Sequence, residues 1–212
     1  MKQIKTVTEQ VYQNIYRAIA EGTIEPGTKL TLKYLQDLLG VSSSPIREAL
    51  TRLQQDGLIE YQPNIGMNVR TYSEKDIRSI FELMLEFDII ALKMSLRSNK
   101  RDAFLEKLEQ NVKSSGALLE FGNYEKWHAL SDEFHNLMLE YSDNTFLLDA
   151  SQKVRMHLTV FSTNYEADNE NRADIQREHE QIFETAKAGD DEKALELMRI
   201  HLESSLAKAL SL

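Results

Sequence analysis

The sequence predicts a mainly α-helical protein that consists of an N-terminal winged helix-turn-helix and a C-terminal all-helical antiparallel bundle. In residues 1–72, three segments with helical apolar spacing precede two short strand-like segments around a glycine-containing turn. In residues 73–212, helical periodicity continues without a convincing strand pattern and without a proline. Residues 71–74 are the only linker between the two predicted domains.

The first two helices are predicted from their apolar spacing and from the residues at their ends. Apolar residues recur at helical intervals between Thr8 and Ala20, and Gly22 follows as a stop. A turn at residues 25–27 precedes a second, short helix from about Thr31 to Leu39.

The boundary between the second and third helices predicts a helix-turn-helix. Gly40 favours the left-handed conformation that ends many helices. Ser44 and Pro45 then fit the start of a third helix, as an N-cap and as a proline whose missing N–H costs nothing in a first turn. We expect this helix to run to about Asp56 and to carry Arg47 near its N-terminus, the end that enters the major groove in DNA-binding versions of the motif.

A hairpin is predicted after the third helix. Residues 58–62 and 67–70 read as two strands, and residues 63–66 read as a turn that contains Gly66. Three helices and a hairpin in about 70 residues are typical of a winged helix-turn-helix.

Six helices are predicted in the second domain, beginning at Ser73 and Asp76, which resemble a capping box. They cover residues 73–97, 101–121, 124–142, 145–161, 173–188 and 191–209. The longest break is the polar stretch 163–171. Their apolar faces require an antiparallel bundle.

The composition excludes several classes of protein. No stretch approaches the run of about 18 apolar residues that crosses a bilayer, and residues 1–5 lack the apolar core of a signal peptide, so we expect a cytoplasmic protein without membrane contact. The absence of cysteine excludes disulfides and thiolate metal sites. The net charge of −9 first argues against DNA, but residues 1–75 hold nine Lys and Arg against eight Asp and Glu, so the acidic excess belongs to the second domain.

The order and spacing of these motifs resemble the GntR family of bacterial transcription regulators, in particular its FadR-like branch with an all-helical FCD ligand-binding domain. The first domain carries the motifs Ile24-Glu25-Pro26-Gly27-Thr28-Lys29-Leu30, Leu39-Gly40-Val41-Ser42, Pro45-Ile46-Arg47-Glu48-Ala49-Leu50, Gly57-Leu58-Ile59 and Gly66. The second domain is similar to the family through Phe134-His135, Glu178-His179 and His201.

This resemblance implies a set of DNA-contacting residues: Lys33, Ser42, Ser43, Ser44, Arg47 and Gly66. Relatives often carry arginine where this chain has Ser43 and Ile65, so we expect a different operator sequence, because bidentate arginine contacts to guanine are lost. The alternative is purely structural: the serines cap a helix, and Arg47 pairs with Glu48 or Asp37.

The resemblance also implies a divalent metal site, with zinc or nickel as the expected ion. His135, His179 and His201 lie on three predicted helices, and three imidazoles leave positions open for a ligand. The family's aspartate, four residues before the first histidine, is Ser131 here, so either Asp132 or a water held by Ser131 would complete the site. The alternative is that each histidine only makes structural hydrogen bonds.

Open metal positions suit a carboxylate, so the implied effector is a small organic or sugar acid. Arg155 and Arg177 are candidate cationic partners, although each also fits a surface arginine. Many relatives have an arginine two residues after a glutamate in the first bundle helix; here Met84 follows Glu82, which predicts a less anionic effector or one that the metal alone neutralises.

The sequence therefore predicts an effector-responsive repressor that binds a palindromic double-stranded DNA operator as a homodimer. An architectural DNA-binding dimer without an effector is one alternative. A three-histidine metalloenzyme is another, but the sequence lacks His-Glu-x-x-His, and Glu178 is expected to point away from the site because it neighbours His179.

Overall fold

A computed structural model describes residues 6–211 of the chain, which form two compact units that divide between Ser73 and Glu74. The predicted fold class is confirmed: a small winged unit precedes a unit made of helices. Residues 1–5, on which the expectation of no signal peptide depends, lie outside the described part.

The first unit contains three helices and a two-stranded sheet. The helices are α1 (Val7–Ala20), α2 (Leu32–Leu39) and α3 (Ser43–Gln55), and the strands are β1 (Ile59–Gln62) and β2 (Gly66–Val69). The strands pair in antiparallel register. Beside this hairpin, the backbone N–H of Leu30 donates to the Met67 carbonyl at 2.9 Å and that of Val69 donates to the Thr28 carbonyl at 3.0 Å, an additional pairing that the sequence does not predict.

The third helix begins earlier than the sequence predicts. Gly40 ends α2 with φ 67°, as expected, but Ser42 and not Ser44 occupies the N-cap position of α3. Pro45 is therefore the third helical residue, where its missing N–H still costs nothing because the first four N–H groups of a helix have no internal partner.

The winged unit is built on a continuous apolar core. Ile15 of α1, Leu35 of α2, Ile46 and Leu53 of α3, and Leu58 before β1 are all buried. These residues come from the helical segments in which the sequence shows regularly spaced apolar side chains.

The second unit consists of six helices in the described part. They are α4 (Glu74–Arg97), α5 (Arg101–Glu120), α6 (Tyr124–Tyr141), α7 (Thr145–Tyr165), α8 (Asn169–Lys187) and α9 (Asp191–Leu210). Within this unit α4 packs against α6, α7 and α9, while α5 packs against α6 and α8. None of the helices in residues 6–211 is long and apolar enough to span a membrane.

The predicted break at residues 163–171 is wrong in length. Helix α7 continues to Tyr165 and α8 begins at Asn169. The polar residues shorten the break because they satisfy helix ends: Asp168 accepts hydrogen bonds from the N–H groups of Glu170 and Asn171, at 2.8 and 3.0 Å.

Most of the bundle core lies between α4, α5, α6, α8 and α9. Its buried apolar side chains include Leu92, Phe104, Phe134, Ile182 and Met198. A second, polar layer lies beside this core on the buried faces of α4, α6, α7, α8 and α9, and it contains the candidate ligand site.

Candidate functional site

The N-terminus of α3 presents the predicted DNA-contacting residues in the winged unit. Ser42, Ser44 and Arg47 are exposed, as is Lys33 on α2, whereas Ser43 is half-buried. Ser42 makes no side-chain cap, so the first N–H groups of α3 lack a cap from that residue. Free N–H groups at a helix N-terminus bind phosphate oxygens well.

Arg47 makes neither of the ion pairs considered as its structural role. Within residues 6–211 its guanidinium has no carboxylate partner, and Glu48 instead accepts a hydrogen bond from Thr8 Oγ1 at 2.9 Å. Gly66 opens β2 with φ 107°, a conformation that side chains disfavour. This glycine is therefore required by the backbone of the wing.

Three histidines meet in the polar layer of the bundle: His135 of α6, His179 of α8 and His201 of α9. All three are buried, and one ring nitrogen of each lies within 4.8 Å of the others. The Nε2 atoms of His179 and His201 are 3.3 Å apart. His179 also stacks on Phe134, with ring centroids 4.0 Å apart, which fixes its plane.

This donor set fits a zinc or nickel ion. Nitrogen ligands about 2.0–2.1 Å from a tetrahedral zinc lie roughly 3.3 Å from one another, which matches the His179–His201 separation of 3.3 Å. Burial lowers the pKa of His135 and lowers that of His179 well below its usual value. Both imidazoles are thus neutral at pH 7, the form that binds a metal.

Two carboxylates that the sequence analysis did not select contact the outer nitrogens of these rings. Asp88 Oδ2 of α4 lies 2.8 Å from His135 Nδ1, and Glu178 Oε2 lies 2.7 Å from His201 Nδ1. The expectation that Glu178 points away from the site is wrong, because it reaches across to α9. Carboxylates in this position orient metal-binding histidines and raise their basicity.

Asp88 could have been found from the sequence. It lies on the same face of α4 as the buried residues Met84, Ala91, Leu92 and Ser95. A carboxylate in an apolar stripe needs a buried partner, which is a signal of a site.

Arg155 is the predicted effector residue that the structure brings to the histidines. It is only 7% exposed, and its Nη2 donates to Asp88 Oδ1 at 2.6 Å. Burial raises the pKa of the Asp88 carboxyl, but Arg155 and His135 outweigh this effect and leave the pKa lowered. Asp88 therefore stays ionised in the bundle.

A cavity of about 20 Å³ lies beside Arg155, His135 and His201. It is lined further by Phe81, Ser131, Asp132, Leu158, Ser162, Tyr165, Glu166, Ile175, Leu202 and Ser205. This volume holds about one water-sized group, so a larger ligand requires side chains to move.

The other predicted site residues lie elsewhere. Asp132 lines the cavity but is not part of the histidine cluster; its carboxylate is 4.0 Å from His128 Nε2. Met84 is fully buried on α4 and does not line the cavity. Arg177 is exposed and pairs with Asp174 at 3.0 Å, away from the cavity lining.

A further ionic pair lies at the cavity: Glu166, which lines it, contacts His128. Burial opposes a charge on His128, but the Glu166 carboxylate outweighs it and raises the pKa of His128 to about 9. Burial also raises the pKa of Glu166. We assign a charged imidazolium paired with a carboxylate at neutral pH, because the two groups are in direct contact.

Two family models match the two units. Residues 7–69 match the bacterial regulatory proteins of the gntR family, and residues 77–204 match the FCD domain.

Proteins similar to this chain over most of its length are named as transcriptional regulators. The uncharacterized HTH-type transcriptional regulator YdhC of Bacillus subtilis is 28% identical over 91% of this chain and 86% of its own length. The HTH-type transcriptional repressor RspR of Escherichia coli is 26% identical over 93% of this chain and 86% of its own length. A probable D-xylose utilization operon transcriptional repressor of Paenarthrobacter nicotinovorans is 26% identical over 95% of this chain and 88% of its own length.

Solved structures show the same fold. A putative GntR transcriptional regulator from Rhodococcus sp. RHA1 has a TM-score of 0.81 at 18% identity, covering 96% of this chain and 97% of that chain. The Escherichia coli protein McbR/YncC has a TM-score of 0.80 at 19% identity, covering 98% of this chain and 99% of that chain.

Proposed function

Because this chain belongs to the GntR family of bacterial transcriptional regulators and carries an FCD domain, we propose that it is a repressor controlled by a small organic or sugar acid. The acid binds in the bundle beside a divalent metal held by His135, His179 and His201. The observation that carries this proposal is the buried cluster of three histidines, two of which, His135 and His201, line the same cavity as Arg155. A buried arginine and an open metal position both suit a carboxylate.

The winged unit supplies the DNA contacts in this proposal. Arg47 and the serines at the start of α3 contact bases and phosphates in the major groove, Lys33 contacts a phosphate, and the wing approaches the minor groove at Gly66. Two copies of the chain bind a palindromic operator, because a two-fold dimer presents two recognition helices to two equivalent half-sites.

The acid changes DNA affinity through its unequal affinity for two arrangements of the dimer. A ligand shifts an equilibrium only by the difference between its binding free energies for the two states. Helix α4 is a candidate for transmitting that difference, because it begins immediately after the winged unit and carries Asp88 into the site.

The metalloenzyme alternative is rejected, because the gntR family model and the similar proteins describe transcriptional regulators. An architectural DNA-binding dimer remains the competing function, and it predicts that neither metal nor acid alters DNA binding.

Metal titration followed by a ligand screen tests the proposal. Chelator-treated protein is titrated with zinc chloride and, separately, nickel chloride in a calorimeter, and the loaded protein is screened by thermal shift against carboxylic and sugar acids. We expect one ion per chain and a raised melting temperature with at least one acid. The variant H179Q serves as control and should lose both signals, whereas no metal binding by the wild type would contradict the metal site.

A further inference from the structure

Asp88 connects the candidate metal site to the candidate acid site. Its carboxylate is completely buried; one oxygen lies 2.6 Å from Arg155 Nη2 and the other 2.8 Å from His135 Nδ1. The three side chains come from α4, α7 and α6. A single buried negative charge is thus shared between a cation beside the cavity and a ring of the histidine cluster.

The two partners compete for this charge. Arg155 Nε is buried and has no hydrogen-bond partner within residues 6–211, so part of the guanidinium is available to a ligand. Asp88 Oδ2 and His135 Nδ1 are within hydrogen-bond distance but are not aligned for a hydrogen bond. The contact with His135 can therefore strengthen while the contact with Arg155 weakens.

We propose that Asp88 is a positioning residue that couples metal binding to acid binding. The inference rests on the proposed function and extends it. A metal on His135 makes the outer ring N–H a stronger donor and draws the Asp88 charge toward the ring. Arg155 is then less neutralised and binds an anion more tightly. Because coupling is reciprocal, an anion at Arg155 also strengthens the hold of His135 on the metal.

The chain provides a matched control in Glu178. Its carboxylate lies 2.7 Å from His201 Nδ1, close to the 2.8 Å between Asp88 and His135, although here the contact is an aligned hydrogen bond. The other cationic neighbour of Glu178 is Lys208 at 3.8 Å and not Arg155. Removing the Glu178 charge therefore perturbs the histidine cluster without changing the balance at Arg155.

The test measures two affinities in the full-length chain. Zinc affinity is measured by competition with a chelating dye, and acetate affinity is measured by calorimetry on metal-free protein at constant ionic strength. We expect D88N to weaken zinc binding about 10–100-fold, the usual effect of losing such a partner, and to tighten acetate binding at least threefold. E178Q should weaken zinc binding similarly and leave acetate binding within twofold.

Opposite changes in the two affinities distinguish coupling from a structural role, because a damaged bundle weakens both. If D88N weakens both zinc and acetate binding, or leaves zinc binding unchanged, the coupling is overturned. In either case zinc binding by the wild type still supports the metal site. A wild type that binds no zinc overturns the metal site and the coupling together.

If D88N does not fold by circular dichroism, R155Q replaces it, because it removes one partner of Asp88 and leaves the whole carboxylate charge to His135. We expect R155Q to bind zinc about threefold more tightly than the wild type and to lose acetate binding. Zinc binding by R155Q that is equal to or weaker than that of the wild type would overturn the coupling.

Discussion

The contact between His128 and Glu166 predicts a loss of stability in mild alkali. The pKa of His128 is raised from 6.5 to about 9 in the folded protein. A raised folded-state pKa contributes stability that is complete below pH 6.5 and is lost as the pH rises through 9. At about 1.4 kcal/mol per pH unit, the shift corresponds to at most about 3.5 kcal/mol.

The measured loss should be smaller than this ceiling. The His128 side chain is 25% exposed, so solvent screens part of the attraction. The raised pKa of Glu166 also costs stability as the pH rises, because ionising this carboxyl in the bundle is unfavourable above pH 4.5, so comparison with a variant that lacks the His128 ring is needed to isolate the part due to His128. We expect a net loss of about 1–3 kcal/mol between pH 6.5 and 9.5.

Urea denaturation followed by the fluorescence of Trp127, the single tryptophan of the chain, measures this loss. Trp127 is the residue before His128 in the sequence, and its side chain is buried, so its fluorescence reports on unfolding of the bundle. The variant H128Q is the reference, because it lacks the titrating ring but retains a hydrogen-bond donor. Equal pH dependence in the wild type and in H128Q would refute the reasoning.

Three further predictions concern single side chains. R47A should weaken operator binding and should reduce the slope of log K against log salt concentration by about one unit if Arg47 neutralises one phosphate. Its melting temperature should stay unchanged, and fluorescence anisotropy over a salt series measures the binding. L53A should cost about 2–5 kcal/mol in urea denaturation, because Leu53 is fully buried. R101A should cost about 2–3 kcal/mol, since Arg101 donates to the Leu96 and Ala186 carbonyls and pairs with Asp191, joining four helix ends; an unchanged urea midpoint would contradict that role.

The winged unit could be predicted from the sequence almost element by element, because its turns use residues with few conformational options. Gly40 takes the predicted left-handed conformation. The predicted start of α3 is two residues too late, because three consecutive serines offer equivalent caps and Pro45 fits any position of the first turn. The pairing of residues 28–30 with β2 depends on tertiary contact, which a local pattern does not reveal.

In the bundle, the sequence locates residues on their own helices but does not give the rotation of one helix against another. His135, His179 and His201 were selected through the family resemblance, and the structure gathers them. Asp132 was selected by its spacing from His135, yet Asp88, 47 positions earlier than His135 in the chain, supplies the contacting carboxylate. Arg177 and Arg155 are indistinguishable by local pattern, and only the packing of α7 and α8 buries one and exposes the other.

The most direct test of the central claim is operator affinity measured with and without the metal and the acid. The operator is DNA that the purified protein selects from the organism's genome. Fluorescence anisotropy then gives the operator affinity of three samples: chelator-treated protein, zinc-loaded protein, and zinc-loaded protein with the acid that raises its melting temperature most. The proposed function predicts a change of at least fivefold with the acid, which H179Q loses while it retains DNA binding. An operator affinity that is the same in all three states of the wild type would contradict the account.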